Sequence, residues 1–123
     1  MKNHERAAQV WSVLALAALN RQLVSYEELG KLTGIAQVSL GTSLGMVQSY
    51  CVANGLPLLC VLAVGKRTGI PSPGFATAEN VPAENMKVFS HDWLGMRCPQ
   101  PEALLAASLT HPSLEPPEDV LES

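Results

Sequence analysis

With 123 residues, 47% of them hydrophobic, the chain can bury one compact core and is too short for two ordinary domains. The net charge of −3 is unevenly shared: residues 1–75 carry six Lys or Arg against three acids, and residues 76–123 carry two against eight. So few, so scattered cations argue against strong phosphate neutralisation, and the longest apolar run, LPLLCVLAV, falls far short of the ~20 residues that span a bilayer.

From Arg6 to Leu19 the apolar positions Val10, Val13, Leu14 and Ala17 recur at helical spacing, widened by Trp11, Ala15 and Ala18, which predicts a largely buried first helix. Lys2 and Arg6 ahead of this stretch imitate a secretory signal, but Glu5 and Gln9 interrupt the imitation. We read the segment as a core helix and the protein as cytoplasmic, with no membrane anchor. Ser25 and Glu28 form a capping-box pair, so a second helix runs from Tyr26 to Thr33, with Leu29 and Leu32 inward and Gly34 as its left-handed stop.

A third helix spans Val38–Ala53, with Leu40, Leu44, Val47 and Cys51 inward and Asn54-Gly55 closing it. Gly41 and Gly45 lie one turn apart and cost helix stability, about 1 kcal/mol each, which implies a close approach by another element. The outer face then presents Ser39, Thr42, Ser43, Met46 and Ser49. LPLLCVLAVG reads as a buried strand from Pro57 to Gly65, and GKRTGIPSPGF as a turn with Lys66 and Arg67 at its tip, returning along Phe75. Three helices plus a β-hairpin make a mostly α fold with a winged helix-turn-helix core over residues 1–75.

Residues 76–110 form a C-terminal helical extension docking on that core. A short helix is expected from Ala83 to Phe89 with Pro82 in its first turn, Val88, Phe89 and Trp93 supply docking surface, and PEALLAASL adds an amphipathic turn or two. From His111 to Ser123, prolines and acids predict a disordered tail.

Cys51, Cys60 and Cys98 include no C-x-x-C pair, and His4, His91 and His111 have no metal-ligand spacing, so free thiols in a reducing compartment are expected, with no metal and no cofactor. His91-Asp92 with Cys98 is a nucleophile-and-base combination in composition only, because nothing fixes these residues on rigid neighbouring elements.

The segments LVSYEELGKLTG and VSLGTSLGMVQSYCVANGLPLLCVLAVGKRTG are similar to the C-terminal winged-helix domain of the alkylguanine-DNA alkyltransferases and alkyltransferase-like proteins, over about residues 6–75. VSYEEL matches the first helix of the family pattern, Gly41–Gly45 the glycine, small residue and leucine of its reading helix, and Asn54-Gly55 its Asn-Pro. The resemblance implies a winged-helix fold and places Cys60 at the family's alkyl-acceptor position. Val61 stands where the family has histidine, Val38 where it has the arginine inserted into the base stack, and Leu62 where a second arginine follows. The fold is therefore expected without the alkyl-transfer chemistry, and the protein is read as a non-enzyme.

Two functions remain open. One is a small DNA-binding regulator that presents the third helix and the Lys66-Arg67 wing to double-stranded DNA. The other is a protein-interaction factor, an inhibitor or adaptor of the kind phages and other mobile elements encode, acting through the same helix or through a twofold contact as a homodimer. No Asp, Glu, Lys, Arg or His occurs from Ile35 to Gly65, and the outer face lacks the Arg, Asn or Gln that commonly read base edges, leaving only Gln37 and Gln48 near its margins.

Overall fold

A computed structural model describes residues 1–71 and 80–111. Among them the fold is mostly helical: α1 (Asn3–Leu19), β1 (Val24–Ser25), α2 (Tyr26–Thr33), α3 (Gln37–Ala53), a 3-10 turn over Leu59–Leu62, β2 (Ala63–Val64), α4 (Val81–Ser90) and α5 (Pro101–Thr110).

Helix α1 starts three residues before the expected boundary because the Glu5 carboxylate reaches back to accept from the Lys2 backbone N–H at 2.8 Å. Its buried residues, Ala7, Val10, Trp11, Leu14, Ala15, Ala17 and Ala18, form the broad stripe the spacing predicts. The helix closes with Gln22 N–H donating to Ala17 O at 2.9 Å and Arg21 N–H to Ala18 O at 3.1 Å, with Arg21 in the left-handed region at φ 54°. Helix α3 closes with the same motif, Leu56 N–H to Cys51 O at 2.8 Å and Gly55 N–H to Val52 O at 3.3 Å, where Gly55 takes φ 65°. Glycine meets that geometry without a Cβ penalty, and arginine does not.

Helix α2 follows its sequence signals closely. Ser25 Oγ accepts from Glu28 N–H at 3.1 Å, the Glu28 carboxylate accepts from Ser25 N–H at 3.3 Å, and Gly34 stops the helix at φ 73°. Leu32, expected inward, is instead 67% exposed. The buried side chains of α2 are Tyr26 and Leu29, and that stripe turns Leu32 outward.

The expected strand over LPLLCVLAVG is corrected to a 3-10 turn followed by two strand residues. Ala63 and Val64 pair in parallel with Val24 and Ser25, which places a strand partner before α2. Leu59, Cys60, Val61, Leu62 and Ala63 are all 0% exposed, enclosed by α1, α3 and α4. A strand needs partners along its edges, whereas a tight turn satisfies its backbone locally and buries side chains all round. An apolar run this short does not distinguish the two. Beyond it, Gly65 N–H donates to Ile70 O at 2.9 Å and Gly69 N–H to Gly65 O at 2.8 Å, closing a compact loop. Phe75, placed on the return strand, and the proline-rich tail from Pro112 lie outside the described residues.

Both C-terminal helices are longer than expected, and their side chains join one core with α1 and α3. Val88, Trp93 and Leu104 belong to the same buried cluster as Trp11, Leu44 and Cys51. Trp11 is the hinge of that cluster, edge-on to Tyr50 at 5.4 Å and to Trp93 at 5.6 Å. Trp93 is fixed in turn by its Nε1–H donating to Val88 O at 2.7 Å. No helix among the described residues is long and apolar enough to cross a membrane.

Candidate functional site

Helix α3 carries most of the candidate residues, and its surroundings decide which of them a partner can touch. It packs against α1 on one side and α5 on another, and also meets α2 and the 3-10 turn. Gly41 and Gly45 are both buried, consistent with the close approach their spacing implied. The outer face expected to present five side chains is thereby narrowed. Ser43 and Ser49 are 0% and 1% exposed, a correction to their placement on the surface. Each hydroxyl turns back on its own helix, Ser49 Oγ donating to Gly45 O at 3.0 Å and Ser43 Oγ to Ser39 O at 3.5 Å, so burial leaves neither donor unsatisfied. Ser39 and Met46 are half-buried, Met46 against the core, and only Thr42 of the five is fully exposed.

At its C-terminal end α3 exposes Val52 and Ala53, and the rest of its accessible surface lies towards its N-terminus. Val38 is 59% exposed there, one turn before Thr42, and Leu32 stands six residues earlier on α2, across the turn at Gly34. Neither Val38 nor Leu32 is among the contact residues expected from sequence, which places Leu32 inward. The signal for Leu32 was present in Tyr26, which sets the inward stripe of α2. The signal for Val38 was its place beside Gln37 at the helix start, outside the Leu40–Leu44 stripe.

Lys66 and Arg67 are exposed on the loop after β2, as expected of a turn. Lys66 is already engaged: its Nζ lies 3.0 Å from Glu27 Oε2, while Lys31 Nζ lies 3.1 Å from Glu27 Oε1. The parallel pairing of β1 with β2 carries the chain of Lys66 past the first turn of α2, which is why residues so distant in sequence meet. Lys66 and then Lys31 hold the Glu27 carboxyl below its ordinary pKa. Both cations and the carboxylate are solvated, so the cluster adds little to stability. Lys31 and Lys66 flank Glu27 beside an open groove of about 400 Å3 that a second carboxylate, Glu28, lines together with Ser25 and Gly69.

The thiols divide by burial. Cys51 is fully buried, and desolvation pushes its pKa up to about 12 despite a backbone contact from Leu59 that opposes the shift. Cys60 is 0% exposed within the 3-10 turn. Cys98 is exposed, with Sγ 3.6 Å from Ala8 O, and its pKa is raised chiefly by partial desolvation. His91 Nε2 faces Met96 Sδ at 3.2 Å, so the structure does not bring His91 to Cys98 as a nucleophile-and-base pair. Among the described residues, no group of three or more His, Cys, Asp or Glu is placed to hold a metal ion. No family model, curated protein or solved structure matches the chain.

Proposed function

We propose that this protein is a non-catalytic interaction module, a winged-helix-like adaptor or inhibitor that engages a protein partner through the α2–turn–α3 surface. The observation that carries this reading is the exposure of Leu32 and Val38 on either side of the Gly34 turn, with Thr42 one helical turn further on and no charged residue between Ile35 and Gly65. Aliphatic side chains left in water at such a junction gain on burial about 1.5–3 kcal/mol each. A partner with an apolar surface suits this patch, and a polyanion does not. Readout through Ser43 and Ser49 plays no part, since both lie inside the fold.

The test is affinity capture with the purified chain, followed by the same capture with Val38→Asp and with Thr42→Arg. A specific partner lost in both variants and kept in the double variant Lys66→Ala, Arg67→Ala supports the proposal. Capture unchanged in Val38→Asp and Thr42→Arg overturns it.

A second reading, duplex DNA binding along the phosphate backbone, is favoured by the exposure of Lys31 on α2 and of Lys66 and Arg67 on the loop after β2. It requires a mobility shift that weakens steeply with salt and disappears in the Lys66→Ala, Arg67→Ala variant. No shift at about 50 mM salt, where a few phosphate contacts are strongest, removes it.

A further inference from the structure

Between α4 and α5 the chain runs through an irregular connection, residues 91–100. Its first part is a built turn: Asp92 Oδ1 accepts from Gly95 N–H at 3.0 Å, and a Cβ on Gly95 would collide with that same carboxylate. The turn folds Met96 back over His91, setting His91 Nε2 3.2 Å from Met96 Sδ. The imidazole also lies against Trp93, ring centroids 4.3 Å apart, and Trp93 is itself clamped by Val88 O and by Trp11. An indole, a carboxylate turn and a buried aromatic pair thus hold a ring nitrogen and a thioether facing each other.

A thioether is a poor hydrogen-bond acceptor, and as a hydrogen bond this contact contributes little. As ligands the two atoms are well matched, since thioether sulfur selects soft cations and imidazole accompanies it in copper sites. The hard and tetrahedral alternatives need a larger set of donors, and among the described residues no three of His, Cys, Asp or Glu are grouped to hold a metal. We infer that His91 Nε2 and Met96 Sδ form a binding site for a soft monovalent cation of the Cu(I) class, walled by the indole of Trp93. With metal–nitrogen and metal–sulfur bonds of about 2.0 and 2.3 Å, a near-linear two-donor arrangement separates the donors by about 4.3 Å, roughly 1 Å beyond the observed 3.2 Å contact. A rotation of the unbranched Met96 side chain supplies that opening, and cation–π attraction from Trp93 adds to the affinity.

The experiment uses Ag(I) as a redox-inert probe and the full chain carrying Cys98→Ser, so that the exposed thiol does not compete. One equivalent of Ag(I) is expected to move the ring resonances of His91 and leave those of His4 and His111 in place. Met96→Leu in the same background keeps the volume and removes the donor, and is expected to weaken binding at least tenfold. Should that variant lose its near-ultraviolet signature, His91→Asn gives the same reading. Ag(I) binding unchanged in a folded Met96→Leu or His91→Asn protein, shifts confined to His4 or His111, or no binding to the Cys98→Ser chain overturns the site.

Discussion

Helices α2 and α3 are joined by a three-residue turn yet are held in opposite ways. Helix α2 rests on the core along one stripe, Tyr26 and Leu29, and leaves Leu32, Lys31 and Glu28 in water. Helix α3 is enclosed on several sides, and its buried set includes apolar, glycine and serine positions alike: Leu40, Gly41, Ser43, Leu44, Gly45, Val47, Ser49 and Cys51. With Leu32 as the exception, polarity of a side chain therefore reports exposure on α2 and fails to report it on α3. A helix with one covered face advertises that face by its period, and a helix covered nearly all round has no period to advertise.

The contrast is broken most severely by a charge placed inside α3. Ser49→Asp sets an unpaired carboxylate where a hydroxyl was satisfied by its own helix, and is expected to cost on the order of 4 kcal/mol or to prevent folding. Thr42→Arg on the exposed side of the same helix is expected to stay within about 0.5 kcal/mol, and urea denaturation of the two variants side by side checks both. Equal losses would mean that α3 is not enclosed as described. Next in size, Leu44→Ala should lower stability by about 3 kcal/mol, while Leu32→Ala on α2 changes it by less than about 0.5 kcal/mol.

The buried thiol of α3 sharpens the contrast through pH. With a folded pKa raised to about 12 from 9.0, Cys51 keeps its proton in the folded state after the unfolded chain has released it. Its contribution is fully present below pH 9 and is lost as pH rises toward 12, by about 3 kcal/mol at pH 11. Denaturation at pH 8 and pH 11 should show this loss, reduced in Cys51→Ala. Smaller again, Arg21→Gly relieves the left-handed residue after α1 and should add about 0.5–1 kcal/mol, a gain that thermal melting resolves. Last, Lys66→Ala removes a solvated ion pair from the α2 side and should leave the melting temperature unchanged.

Much of the fold is legible where its causes are local. Ser25, Glu28 and Gly34 specify both ends of α2, and Asn54-Gly55 ends α3, because capping is settled within a few residues. The orientation of α3 is not legible, since the helix that covers it comes from residues 101–110. The run Leu56–Gly65 is uniformly apolar, and nothing in it separates an edge-paired strand from a turn enclosed by helices. The candidate site divides along the same line. Thr42, Lys66 and Arg67 sit in water as their residue types suggest, Ser39 and Met46 are half-covered, and Ser43 and Ser49 are hidden by distant segments. The Glu27–Lys66 pair depends on a parallel strand match between residues 24–25 and 63–64, which no short-range pattern announces.

Because α5 lies on both α1 and α3, a nascent chain leaving the ribosome carries two apolar helical surfaces without their cover until residue 110 has emerged. At ~5–20 residues per second this exposure lasts seconds, and long-range closure is slow relative to local helix formation. Truncation before Pro101 makes that interval permanent, so a stop codon there should yield aggregates or degradation products even though α1, α2 and α3 are all encoded.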